Sequence, residues 1–420
     1  MSGKWPGGFI NKTAPTVVAS TGDYGGSASG IWTLDQVADY EARGLWPIRL
    51  PPPTTGEIWS WGRNAEGQLG LGNNTTVSSP VQVGSLSTWT LTALGNYDTL
   101  AVKSDGTLWG WGRNAGGNLA LGDTVSRNSP VQVGALTTWL KAAAGQYETS
   151  LFRTADGKLY AAGSGYQGGL GLGNTTNYSS PVQVGALTHW ADIATGSYNS
   201  FATTNDGKLY AWGYNFYGEL GNGTYGGATS VSSPIQVGSL TNWSTVVAGV
   251  YAVAAIKTDG TLWAWGLNHL GKLGINVTPG GMSTNRSSPT QVGALTTWDK
   301  VAWGNDACYA IKTDGTLWSW GGNTYGQCGY GTTTNYSSPV QVGALTTWSA
   351  VAGGQYFALG VRTDGILFAW GLGTSGQLGN LNLTNYSSPI QVGTIDTWNR
   401  TTLPKMVNSI HSVVMKTYGV

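Results

Sequence analysis

Short runs of alternating apolar and polar residues recur along most of this chain, always in the same order. Val182-Gln183-Val184 alternates and reads as a short strand, Ser200-Phe201-Ala202-Thr203-Thr204 as a second, and Lys208-Leu209-Tyr210-Ala211-Trp212-Gly213 as the strand that returns. Asp206-Gly207 joins the last two. That dipeptide predicts a tight hairpin turn in which both central residues take positive φ. No stretch of the unit carries a helical period over ten residues.

The unit repeats in register. The aromatic pair of the returning strand begins at Trp59, Trp109, Tyr160, Tyr210, Trp263, Trp318 and Phe368, so the spacings are 50, 51, 50, 53, 55 and 50 residues. A loop proline recurs from Pro80 to Pro389 and a tryptophan from Trp89 to Trp398, seven times each. One small sheet cannot bury both its faces, so neighbouring units must stack. The two ends choose a ring over a line. Ser412 to Gly419 matches the strand that precedes the hairpin elsewhere, and its partner is missing. Gly56 to Gly62 is a returning strand with nothing before it. The C-terminal strand supplies what the first unit lacks, and closure leaves few open edges. The expected fold is all-β: a seven-bladed propeller over residues 54–420, closed by pairing of the C-terminal strand with the N-terminal repeat.

The run Ala101 to Leu119, with its Lys103, Asp105-Gly106, Leu108-Trp109 and Trp111-Gly112, resembles the repeat of the regulator of chromosome condensation family. The likeness covers about residues 56–420. It implies a seven-bladed propeller. It leaves function open, since such propellers act in nucleotide exchange on a small GTPase, in ultraviolet sensing and in enzyme inhibition.

Residues 1–53 do not repeat. Residues 2–30 are mostly Gly, Ser, Thr, Ala and Pro, too poor in large hydrophobes to form a core. A capping box of Thr33 and Gln36 predicts one helix over about 34–43, stopped at Gly44. Trp46-Pro47 and Pro51-Pro52-Pro53 read as a stiff linker. The Pro6-Gly7-Gly8 opening and Ser29-Gly30-Ile31-Trp32-Thr33-Leu34 resemble N-terminal segments of structural proteins of tailed bacteriophages and other aquatic viruses. That likeness implies an arm that docks to a particle, with Trp32, Leu34, Val37 and Trp46 as its contacts.

Charge excludes several classes. The net charge is +1 and only 10% of residues are charged, so the chain carries no basic stripe for nucleic acid. No apolar run approaches the roughly 20 residues that span a bilayer, and Met1 to Pro6 shows no signal core. The three histidines, His189, His269 and His411, fall at different repeat positions, so no metal cluster and no cofactor is expected. The Asp-Gly aspartates occupy turn slots rather than paired catalytic positions, and no catalytic residue is expected. Cys308 and Cys328 sit at apolar positions and read as buried free thiols.

One recurring position is a binding candidate. Tyr97, Tyr147, Tyr198, Tyr251 and Tyr356 precede a slot held by Asp98, Glu148, Asn199, Ala252, Ala307, Phe357 and His411. Equivalent positions in a propeller form a ring, so these five tyrosines with His411 are the candidate ring for a sugar face or a peptide; packing between blades is the alternative. The loops Thr224 to Ser232 and Asn276 to Arg286 are longer than their counterparts and project from one rim. The expectation from sequence is a non-enzymatic virion structural protein of a phage tail, fibre or capsid, assembled in the host cytoplasm. Its expected partners are other virion proteins through residues 1–53, further copies of itself, and a host glycan or receptor. The alternative is a soluble propeller that binds a protein partner and regulates a GTPase or enzyme.

Overall fold

The computed structural model of the chain describes residues 55–278, 280–394, 397–399 and 403–417. The expected arm, its helix and its docking residues Trp32, Leu34, Val37 and Trp46 lie outside the described residues. Among the described residues the fold is all-β, with only four short 3-10 turns.

Each blade is a four-stranded antiparallel meander. In the second blade the strands are Trp89–Leu94, Asp98–Lys103, Leu108–Gly112 and Arg127–Gln132, from the centre outwards. Five more blades repeat this order. Their innermost strands, Trp139–Ala144, Trp190–Thr195, Trp243–Ala248, Trp298–Trp303 and Trp348–Gly353, line a central channel. The remaining blade closes the ring as expected. His411–Thr417 pairs antiparallel with Gly56–Gly62 from Gly56↔Thr417 to Gly62↔His411, and Val77–Gln82 lies outside. Its inner part departs from the other six. Trp398 bridges Lys416, after which Lys405 and Met406 pair in parallel with Ala93 and Leu94 of the next blade.

The blades are held to one another by tryptophan. In six seams an indole Nε1–H of one blade donates to a backbone carbonyl of the blade before it. Trp111 bonds Gln68 (3.0 Å), Trp212 Gly169 (3.0 Å), Trp265 Glu219 (2.7 Å), Trp320 Lys272 (2.9 Å), Trp370 Gln327 (2.8 Å) and Trp61 Gln377 (2.9 Å). The last of these crosses the closure. All six rings are fully buried, and truncating such a ring costs roughly 3–5 kcal/mol. Glycine makes room for each one. A Cβ on Gly70 or Gly274 would stand 2.8 Å or 2.5 Å from the indole nitrogen of the following blade.

The seventh seam shows the same rule by exception. The third blade has Ala162 where the others have tryptophan, and Phe152 fills the space from the neighbouring strand, its ring 5.7 Å edge-on to Trp139. Elsewhere that strand position is small, such as Ala101, Ala202 or Gly360. With no indole to clear, the seam position held by glycine elsewhere is Ala120, which keeps the left-handed backbone at φ 60°.

The Asp-Gly hairpins differ from the two-residue turn expected. Only the glycine takes positive φ, 76° at Gly106. Gly106 N–H bonds Lys103 O (3.0 Å) and Lys103 N–H bonds Thr107 O (3.0 Å), a three-residue loop ending in a bulge. The aspartate acts as a staple. Asp105 Oδ1 accepts from Thr107 N–H and its hydroxyl, whose oxygen accepts from Trp109 Nε1–H. These bonds hold the Asp105 carboxyl below its usual range. The second, fifth and sixth blades share this chain. The third and fourth pair Asp156 with Lys158 and Asp206 with Lys208, and carry Tyr160 and Tyr210 instead of tryptophan.

His411 is buried inside the closing blade. Thr99 Oγ1 donates to Gln68 O, so it accepts from His411 Nε2–H (3.0 Å) and leaves Nδ1 facing Ser409 Oγ at 3.0 Å. Burial pushes the imidazole down to about 3. Its expected place in an exposed ring is therefore corrected: the side chain is a neutral core group with 0% exposure. Cys308 and Cys328 are buried free thiols.

Two outcomes follow. Ala162→Trp alone overfills the third blade, at about 1–3 kcal/mol, whereas A120G/F152A/A162W rebuilds the seam of the other six. Urea denaturation is expected to show the triple variant well above the sum of its single changes; strict additivity would reject the compensation. For His411, the unfolded imidazole gains its proton near pH 6.5 and the folded one near 3, so stability falls as pH drops between those values. His411→Gln is expected to flatten that slope, and an unchanged slope would refute the assignment.

Candidate binding face

The turn between the first and second strands of every blade opens on one mouth of the channel. The expected tyrosine ring maps there, with one shift in register. Tyr97, Tyr198, Tyr251 and Tyr356 are equivalent, since each carbonyl accepts from the residue after the third strand: Arg113, Tyr214, Leu267 and Leu372. In the third blade that acceptor is Glu148 O, bonded by Ser164 N–H. Thr149 rather than Glu148 begins the strand, and Glu148 is an inserted residue at φ 62°. Tyr147 therefore sits one residue early, and its ring stacks on Tyr198 at 4.2 Å and 8°.

The tertiary structure brings three of the five tyrosines into one belt and leaves two apart. Tyr198 contacts Tyr166 (4.8 Å) and Tyr214 (6.1 Å), and Tyr214 contacts Phe216 (6.2 Å) and Tyr251 (5.8 Å). Tyr217 closes against Tyr251 (5.3 Å) and Phe216 (4.9 Å). Tyr166 is 51% exposed and Phe216 37%. Tyr97 instead lies between Arg63 and Arg113, 5.8 Å and 5.7 Å from its ring, and Tyr356 pairs with Tyr325 at 5.0 Å.

Tyr166, Tyr214, Phe216 and Tyr217 were missed in the sequence. They follow the third strand, a segment that reads Arg63-Asn64 in the first blade and Arg113-Asn114 in the second. The signal was the enrichment of aromatics at these variable positions in neighbouring units. The asparagine there is structural. Asn64 Oδ1 accepts from Leu69 N–H and its Nδ2 donates to Asn73 O and Thr75 O, and Asn114 and Asn323 repeat the bonds.

Charges near the belt are paired or buried. Arg113 bridges Glu148 at 2.7 Å, and Lys272 Nζ lies 3.7 Å from Asp306. Lys272 is enclosed and donates to Val250 O (2.7 Å) and Asn305 O (3.2 Å), and burial lowers its ammonium pKa. Burial raises the Asp98 and Glu219 carboxyls to about 8.

The segment from Leu403 to Val407 enters the channel. Lys405 Nζ reaches Asp192 Oδ2 (2.8 Å), Ile193 O (3.0 Å) and Val246 O (3.2 Å), and Lys141 stands 3.5 Å from the same carboxylate. Burial works against the Asp192 charge, but the two ammonium groups outweigh it and hold the acid at about 2. A cavity of about 240 Å³, lined mainly by Ala, Val and Trp303, remains beside the segment. The opposite face carries an exposed leucine in each of six loops: Leu86, Leu136, Leu187, Leu240, Leu295 and Leu345. Among the described residues no group of His, Cys, Asp and Glu is placed to hold a metal.

The model of the regulator of chromosome condensation (RCC1) repeat matches residues 55–102, 105–151, 156–203, 206–256, 259–311, 314–361 and 364–407. The human E3 ubiquitin-protein ligase HERC2 is 30% identical over 186 residues, which are 42% of this chain and 4% of that one. The ultraviolet-B receptor UVR8 of Arabidopsis thaliana is 30% identical over 183 residues, 41% of this chain and 39% of the receptor. The chain thus spans well under two thirds of these relatives. Among solved structures, Prp20p of Saccharomyces cerevisiae, described together with its binding to Gsp1p and histones, superposes with a TM-score of 0.76 at 19% identity, over 91% of this chain and 95% of that one. Human WBSCR16 gives 0.73 at 20% identity, over 87% and 100%.

These relatives, a ubiquitin ligase and a light receptor among them, overturn the expectation of a virion structural protein. With seven matched repeats arranged as seven blades, the chain belongs to the regulator of chromosome condensation (RCC1) repeat family.

Proposed function

We propose that this protein is a protein-binding propeller that docks a partner on the aromatic mouth of blades three to five and regulates it by docking rather than by turnover. The belt of Tyr147, Tyr166, Tyr198, Tyr214, Phe216 and Tyr251 carries this reading. Exposed contiguous aromatics mark interaction sites, and tyrosine is enriched among the residues that dominate binding energy. The belt sits on a scaffold whose buried indoles fix it, so little ordering entropy is lost on docking. The family supports a partner of regulatory type, a GTPase or an enzyme; Prp20p, with its described binding to Gsp1p and histones, supplies the first probes.

The test is capture of a small GTPase, core histones and a cell extract by the immobilised full chain. Y166A/F216A is expected to weaken capture about thirtyfold, as for the loss of a hot spot of roughly 2 kcal/mol. L136S/L187S on the opposite face is expected to leave it unchanged. Equal capture by the wild type and Y166A/F216A would overturn the assignment of the face.

A further inference from the structure

The aromatic belt does not stop at the channel mouth. Tyr217, in contact with Tyr251 at 5.3 Å, is also a wall of a cleft of about 260 Å³ formed with Tyr225, Met282, Ser283, Asn285 and Ser287. Tyr225 comes from the first of the two loops longest among the repeats, Met282, Ser283 and Asn285 from the second, and Ser287 from the strand that follows it. The first is pinned to the belt: Gly226 N–H donates to Asn215 O and Phe216 O, both at 3.1 Å. The second is held by its own bonds, with Arg286 donating to Thr284 O (3.1 Å) and Asn285 O (2.9 Å). Tyr225 is 66% exposed and Met282 52%. An uninterrupted track thus runs from the mouth to the rim, and its outer end is built by the two insertions.

The chemistry of the track selects its occupant. No charged side chain lines the cleft, the charges at the borders of the belt are committed, Arg113 to Glu148 and Asp306 to Lys272, and Arg286 is turned onto the carbonyls of its own loop. A charged segment would lose hydration there without gaining a counter-charge. What the track offers is ring edges and faces, the phenol hydroxyls of its tyrosines, one thioether, the Ser287 hydroxyl and the Asn285 amide N–H; the Ser283 hydroxyl is already donated to Gly280 O (3.0 Å). Hydroxyl donors set among rings match the backbone carbonyls of an extended chain. The rings meet at 4.2–6.2 Å, some stacked, as Tyr147 on Tyr198 and Tyr214 on Phe216, and some edge-on, as Phe216 to Tyr217, which makes a ridged surface. Aromatic ridges bearing hydroxyl donors are suited to a proline-rich segment, whose extended helix has no internal hydrogen bonds and little entropy to lose.

We propose that the track from Tyr198 to the Tyr217–Tyr225–Met282 cleft binds an uncharged, proline-rich segment of a partner protein. The proposal rests on the protein-binding reading above and names the chemistry of its partner. It extends the belt to the rim and gives the two long loops a use.

The experiment is isothermal titration of the full chain with a capped, uncharged peptide of proline and leucine, alongside a version with glycine for proline and a neutral oligosaccharide, chitohexaose. The proline peptide is expected to bind, and the glycine version to bind at least tenfold more weakly. Y225A/M282A, with an unchanged melting temperature, is expected to lose at least tenfold, whereas L136S/L187S loses nothing. Absence of binding, equal binding to Y225A/M282A, or chitohexaose binding that Y225A/M282A abolishes would each overturn the proposal. Failure here is separable from failure of the broader reading. Should Y166A/F216A lose partner capture while Y225A/M282A retains it and no peptide binds, the face stands and the proline-rich assignment falls.

Discussion

The bond between an indole N–H and the carbonyl of the preceding blade is the interaction on which this ring depends. It satisfies a buried donor that would otherwise cost about 1–3 kcal/mol, and it does so across the seam between the separate sheets of neighbouring blades. It also explains the composition. Tryptophan needs a cleared space, glycine clears it, and the carbonyl that receives the N–H belongs to the same Gly-rich turn. Trp61 makes this bond to Gln377 across the closure, so the first and last units meet through the same contact as any other pair, reinforced by the pairing of His411–Thr417 with Gly56–Gly62.

The third blade shows that the constraint is on filled volume rather than on a residue type. Ala162, Phe152 and Ala120 differ from their counterparts together, and each change makes sense only beside the other two. The same unit carries the inserted Glu148, which moves Tyr147 out of register and onto Tyr198. Because the seams fix the blades from within, the turns at the channel mouth are free to differ from unit to unit. They hold Arg63 and Arg113 around Tyr97 on one side and a run of aromatic rings on the other. A repeat scaffold thereby presents an asymmetric surface.

Much of the fold was legible in the sequence. The period, the strand alternation and the complementary ends specified seven blades and their closure, because those features are local or depend on counting. The closing strand was read correctly because Ser412 to Lys416 repeats the pattern of its counterparts. The Asp-Gly turns were placed but mistyped: the dipeptide alone does not distinguish a two-residue turn from a three-residue loop with a bulge, and that choice is made by the Thr107 and Lys103 bonds. Cys308 and Cys328 were read as buried because their repeat positions are apolar in other units.

The binding face was legible only in part. Sequence spacing marked Tyr147, Tyr198 and Tyr251 as neighbours around a ring, but it counted Glu148 into a strand slot and His411 into the same ring. The one-residue insertion and the burial of the closing blade are tertiary facts, and they decide both. The partners of those tyrosines, Tyr166, Tyr214, Phe216 and Tyr217, sit about 15 residues or more away in sequence from the turns they touch. The sequence by itself determined the repeat, the strand order and the closed ring, since hydrophobic period and turn chemistry act within one unit. Only the tertiary structure decided which aromatics form one surface, because that depends on how the seams set neighbouring blades against each other.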